Sequence, residues 1–81
     1  MDNEIYSWVM KMTEVGRIIE EDGYRKGWVA KKAGIAPGTL SKIISGESEP
    51  TLRVALRLGK ILNKSVEELW GYLIKEEKPP L

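Results

Sequence analysis

Lys26–Gly46, KGWVAKKAGIAPGTLSKIISG, decides how the rest of this 81-residue chain is read. Val29, Ala30 and Ala33 recur at three- and four-residue intervals and so line one face of a short helix, about 26–33. Gly34 follows at once, and glycine after the last periodic residue is the usual left-handed stop. Ile35 then plugs the core from the turn. Pro37 opens a second helix, about 37–45, at the position where its missing N–H is not needed, although Ala36 before it is a poor cap. In this helix Leu40, Ile43 and Ile44 face inward. Pro37, Gly38, Ser41, Lys42 and Ser45 are left outward, and Gly46 ends it.

Working outward, Ile5, Trp8, Val9, Met12, Val15, Ile18 and Ile19 predict one long helix over about 4–22, stopped at Asp22-Gly23. Gly16 weakens its middle. On the other side Glu47–Pro50 is a polar loop, and Thr51 caps a helix over about 52–62 whose apolar surface comes from Leu52, Ala55, Leu56, Leu58, Ile61 and Leu62. After a turn at Asn63-Lys64, the run Ser65-Val66-Glu67-Glu68 is a capping box that opens a last helix, about 66–75. Pro79-Pro80 marks 76–81 as a frayed tail. No stretch alternates like a strand and none repeats. The expectation is an all-α fold of five helices in a single domain over 1–75.

Composition narrows the chemistry. The chain has no Cys and no His, which excludes zinc fingers, thiol catalysis and imidazole catalysis. Glu20, Glu21 and Asp22 are consecutive and do not share a helix face, so they read as a solvated charge run. Ser41 and Ser45 have no base within reach, and the glycines form no phosphate-binding loop. The reading is a non-enzyme with no metal, cofactor or small-molecule substrate. No apolar run approaches the roughly 18 residues of a membrane span, and the acidic N-terminus does not read as a signal peptide. A soluble cytoplasmic protein is therefore expected.

Net charge is only +1, but it is unevenly placed. Residues 1–24 carry a net −4, residues 25–60 a net +6 and residues 61–81 a net −1. Positive charge gathers on the two central helices and the helix after them, as a polyanion-binding surface requires. A Lys-rich solvated surface would give the same count.

These residues together resemble a known family, the lambda-repressor-like, Cro/XRE-type helix-turn-helix regulators of bacteria and phages. The resemblance is carried by Gly23-Tyr24, by Val29–Ile35, by Pro37–Ile43 and Gly46, by Pro50-Thr51-Leu52, and by Leu62 with Ser65–Trp70. It runs without a gap from about Val15 to Trp70. It implies five helices, the third lying in the DNA major groove, and a homodimer on a palindromic operator. It implies base reading by Pro37, Gly38, Ser41 and Lys42. Phosphate contact falls to Lys26, Thr39 and Ser45, with Arg25 and Arg53 in the same basic stretch. Phage, plasmid or mobile-element repressors and antitoxins are typical bearers of such a domain.

Three departures bear on function. Pro37 and Gly38 have no side-chain donors, so direct readout falls to Lys42, with Ser41 and Thr39 adding to it. Glu47-Ser48-Glu49 is acidic where family members often place a basic residue near phosphate. Ile19 and Ile44 stand where the family often pairs an Arg with a Glu, which predicts that the two isoleucines meet in the core. The acidic loop keeps a second reading open: a protein-interaction module, antitoxin-like or regulator-binding, with weak DNA binding. Trp28 is read either as packing over Tyr24 and the first helix or as a contact to DNA backbone or a partner. Trp8, Val9, Trp70, Leu73 and Ile74 are read as satellite core or as a dimer surface.

Overall fold

Helix ends in this chain are set by individual residues, and the computed structural model, which describes residues 13–74, shows how. α1 (Glu14–Glu21) is capped by Thr13, whose side chain accepts from the Gly16 amide. α2 (Lys26–Ala33) stops at Gly34 and α3 (Pro37–Ser45) at Gly46, with φ of 73° and 84°. That left-handed backbone costs any residue with a Cβ, so both stops depend on glycine. α4 (Leu52–Leu62) is capped by Thr51 and ends at Asn63, which takes up the same left-handed geometry at φ 58°. α5 (Val66–Trp70) opens on a complete capping box between Ser65 and Glu68 and passes into a 3₁₀ turn, Gly71–Ile74. There are no strands among the described residues.

Two boundaries differ from the sequence reading. Periodicity predicts one helix over 4–22, yet Thr13 is extended (φ −71°, ψ 166°), so α1 starts at Glu14. Gly16 consequently sits in a first turn rather than in mid-helix. Ile5, Trp8, Val9 and Met12 lie outside the described residues. The last helix was expected over 66–75, but α-geometry ends at Trp70 and the chain tightens into the 3₁₀ turn.

The core is built from α1 (Val15, Ile18, Ile19), α2 (Val29, Ala30, Ala33), α3 (Leu40, Ile43), α4 (Ala55, Leu58, Leu62) and α5 (Leu69, Trp70). α2 lies against both α3 and α4; α1 packs on α3 and α5; α5 closes over α4. Ile35 fills the turn from the edge of this core, as expected, and Ile44 packs half-buried against the cluster that contains Ile19. Trp70 is therefore main core, at 8% exposure, and not a surface residue. Leu52 and Leu56 behave in the opposite way. They lie one turn apart on the flank of α4, outside the Ala55–Gly59–Leu62 stripe, and remain 71% and 55% exposed. Gly59 is required where α4 meets the start of α5: a Cβ there would stand 2.7 Å from the Lys64 carbonyl oxygen.

Candidate nucleic-acid interface

α3 is divided cleanly between packing and solvent. Leu40 and Ile43 anchor it, at 1% and 2% exposure, while Pro37, Gly38, Thr39, Ser41 and Lys42 are all exposed. A 3.6-residue period with two anchors three apart leaves the remaining positions on the outer arc. The four residues expected to meet base edges thus share one helix and its solvent side. Among them Ser41 and Lys42 bring side-chain donors.

The helix N-termini separate into two groups. α1, α4 and α5 have their first amides met by the side chains of Thr13, Thr51 and Ser65. α2 and α3 begin at Arg25 and Ala36 with no side-chain cap. Free amides at a helix start, together with the positive end of the helix dipole, favour an anion. Arg25 and Lys26 are exposed at the first of these ends, and Thr39 is exposed at the second. Arg53 is exposed in the first turn of α4. None of Arg25, Lys26, Lys42 or Arg53 forms an ion pair among the described residues.

Arg17 contrasts with these cations. Its Nε donates to Glu14 at 2.9 Å and its Nη1 to Glu21 at 2.8 Å, and Nη2 also binds Glu14. These bonds, that with Glu14 foremost, hold the guanidinium's pKa above its already high ordinary value. This cation is neutralised locally and is unavailable to a polyanion.

The C-terminal end of α3 is densely bonded. The Ser45 hydroxyl donates to the Lys42 carbonyl at 3.1 Å and accepts from the Glu47 amide at 3.3 Å. The family resemblance implies a phosphate contact for Ser45; here its hydroxyl proton is used within its own helix end. Glu47 and Glu49 are both exposed in the following loop. Tyr72, in the 3₁₀ turn, has its pKa raised mainly by burial of the phenol and additionally by the charge of Glu49.

Trp28 stacks on Tyr24, with ring centroids 6.1 Å apart and 14° between planes, and Lys32 Nζ lies 5.8 Å from the Trp28 centroid. The packing reading of Trp28 is the one its neighbours support, although the ring stays 45% exposed. Leu73 and Ile74 are exposed at 43% and 64%; Trp8 and Val9 lie outside the described residues.

Two residues that hold this site carry no sequence signal for the role. Arg57 reaches from α4 to the end of α2, donating from Nη1 to the Ala33 carbonyl at 3.3 Å. It braces the turn at Gly34, whose missing Cβ would stand 3.0 Å from the same Nη1. Thr13 binds the carbonyl of Ile44, 31 residues away. Both contacts use a backbone carbonyl, which any residue possesses, so no residue pairing points to them.

A family model described as helix-turn-helix matches residues 18–69, well over half of the chain. The chain has no significant match among curated proteins or solved structures. The matched span opens within α1, contains α2, α3 and α4 entire, and ends in α5 at Leu69. With the α2–turn–α3 unit folded as that family requires, the chain belongs to the lambda-repressor-like, Cro/XRE-type helix-turn-helix family of DNA-binding regulators.

Proposed function

We propose that this chain is a transcriptional repressor that binds a palindromic operator as a homodimer, with α3 of each copy in the major groove. The observation that carries this reading is the solvent arc of α3, together with two helix starts that lack a side-chain cap and exposed cations without ion-pair partners among the described residues. Lys42 and Ser41 face base edges, and Pro37 offers apolar contact to a thymine methyl. Arg25, Lys26, Thr39 and Arg53 meet phosphates. Repression is steric: the bound dimer covers a promoter. Selection of bound sites from random duplex DNA tests the reading. The expected outcome is an enriched pair of inverted half-sites with centres about one helical turn apart. A flat pool would remove sequence-specific binding.

A second reading has its own support. Glu47 and Glu49 are exposed directly after α3, and Leu52, Leu56, Leu73 and Ile74 leave apolar surface uncovered. A protein-interaction module of the antitoxin kind would use such surface. Under this reading the flat pool is the expected result.

A further inference from the structure

Lys42 stands in the last turn of α3, and Thr13, at the start of α1, hydrogen-bonds that turn from outside the helix. Thr13 is buried. Its hydroxyl donates to the Ile44 carbonyl at 2.6 Å and accepts from the Gly16 amide at 3.2 Å. Its own amide N–H approaches the same carbonyl at 3.4 Å. Its methyl, Cγ2, lies 3.4 Å from the place a Cβ on Gly46 would occupy. Both halves of the side chain therefore abut the end of α3.

The final carbonyls of a helix have no partner within it and must be met from elsewhere. In α3 the Lys42 carbonyl is met by Ser45 and by the Ser48 amide, and the Ile43 carbonyl by the Gly46 amide. These partners are local and move with the helix end. The Ile44 carbonyl is met by Thr13, which is rooted in α1. A bond rooted in a second element sets the position of the turn relative to the body of the fold, which local bonds cannot do.

We infer that Thr13 is a positioning residue for base reading. It fixes the last turn of α3 against α1 and so fixes where the Lys42 side chain starts, without touching the phosphate-contact candidates Lys26 and Arg53. This rests on the proposal that Lys42 reads bases. Without the hydroxyl, the Ile44 carbonyl keeps only the long amide contact. The end of α3 then opens more often, and Lys42 samples a wider range of positions.

Thr13→Val keeps the shape and removes the hydroxyl, whereas Thr13→Ser keeps the hydroxyl. Ser65→Ala, which uncaps α5, serves as a stability control remote from α3. The first measurement uses no DNA. Amide hydrogen exchange at Gly46 and Ser48 is expected to accelerate in Thr13→Val beyond its change in Ser65→Ala, and to return to wild type in Thr13→Ser. Equal acceleration in the Val and Ser65→Ala variants would show a merely structural role and overturn the inference. The second measurement uses the duplex selected by the wild-type chain. Thr13→Val is expected to lose about tenfold in preference for that duplex over one altered at the Lys42-dependent base, as befits one lost hydrogen bond. Thr13→Ser restores the preference, and the salt slope stays unchanged because no phosphate contact is lost. In a Lys42→Ala background Thr13→Val should add almost nothing. Additive losses, or a loss equal for both duplexes, would overturn positioning of Lys42. If the wild-type chain selects no duplex, the DNA-reading proposal fails, and the exchange data still judge the hold on α3 by themselves.

Discussion

Lys42 and Lys26 are both exposed cations on the α2–α3 unit, yet their places predict different losses. Lys42 lies on the exposed arc of α3, and the proposed contact is to guanine O6 and N7 in the major groove. Lys26 opens α2 at a helix start without a side-chain cap, where the proposed contact is to phosphate. Lys42→Ala is expected to cost about 1 kcal/mol at one base position and to blur preference there. Lys26→Ala should weaken all duplexes alike and lower the salt slope by about one. Binding curves on the selected and altered duplexes across salt concentrations separate the two. Equal, preference-neutral losses would remove Lys42 as the reader. The exposure of the outer α3 residues was legible because helical period alone divides that helix into anchors and outer arc. Thr13 was not legible for a matching reason: the period of Met12 and Val15 carries straight through it, and its partner is a carbonyl distant in sequence.

At the scale of elements, the ends were legible wherever the signal was local chemistry. Gly34, Gly46, Thr51 and Ser65 each act on atoms within a few residues: α2 and α3 end at the two glycines, and α4 and α5 begin after Thr51 and Ser65. The start of α1 and the end of α5 were misjudged because apolar periodicity says which face is buried, not whether the backbone stays helical. The exposure of Leu52 and Leu56 has the same origin, since leucines flanking a buried stripe count equally in a periodic sum. Gly59 marks a place where two elements nearly touch. Gly59→Ala forces its Cβ against the Lys64 carbonyl, 2.7 Å away, and neither backbone can yield freely. The gain in helix propensity is outweighed, and a net loss of about 1–3 kcal/mol is expected. Thermal unfolding checks this; a variant as stable as wild type would mean that α5 can shift its start. The capping box gives a pH-dependent counterpart. The Ser65 amide, and then its hydroxyl, hold the Glu68 carboxyl below its ordinary value near 4.5. A lowered folded pKa stabilises the fold above the ordinary value, and that contribution is lost as pH falls through the folded one. Glu68→Gln should therefore be less stable than wild type at neutral pH, and the difference should shrink as pH falls below the ordinary carboxyl value. A constant difference across that range would assign it to packing instead of charge.

At the scale of the whole molecule, the thin reading face of α3 sets a requirement on assembly. One copy offers side-chain donors to base edges from Ser41 and Lys42 on that arc, because Pro37 and Gly38 supply none. Each good base contact is worth about 1–3 kcal/mol of discrimination. Specific regulators exceed their own non-specific binding by about 4–10 kcal/mol. Contacts from Ser41 and Lys42 would give a single α3 about 2–6 kcal/mol, which reaches only the lower part of that range, while two copies on inverted half-sites would double the contribution. The proposed dimer would make good this shortfall. The expected outcome is two copies per selected site, with a sigmoidal dependence of occupancy on protein concentration. A duplex carrying one half-site should bind at least about tenfold more weakly than the full site, because it forfeits one set of base and phosphate contacts. Gel-shift titration with stoichiometry read at saturation makes the comparison. Equal affinity for half and full sites, one copy bound to each, would show that one α3 suffices. Its discrimination would then have to come from the shape and deformability of the DNA, since two side-chain donors do not supply it.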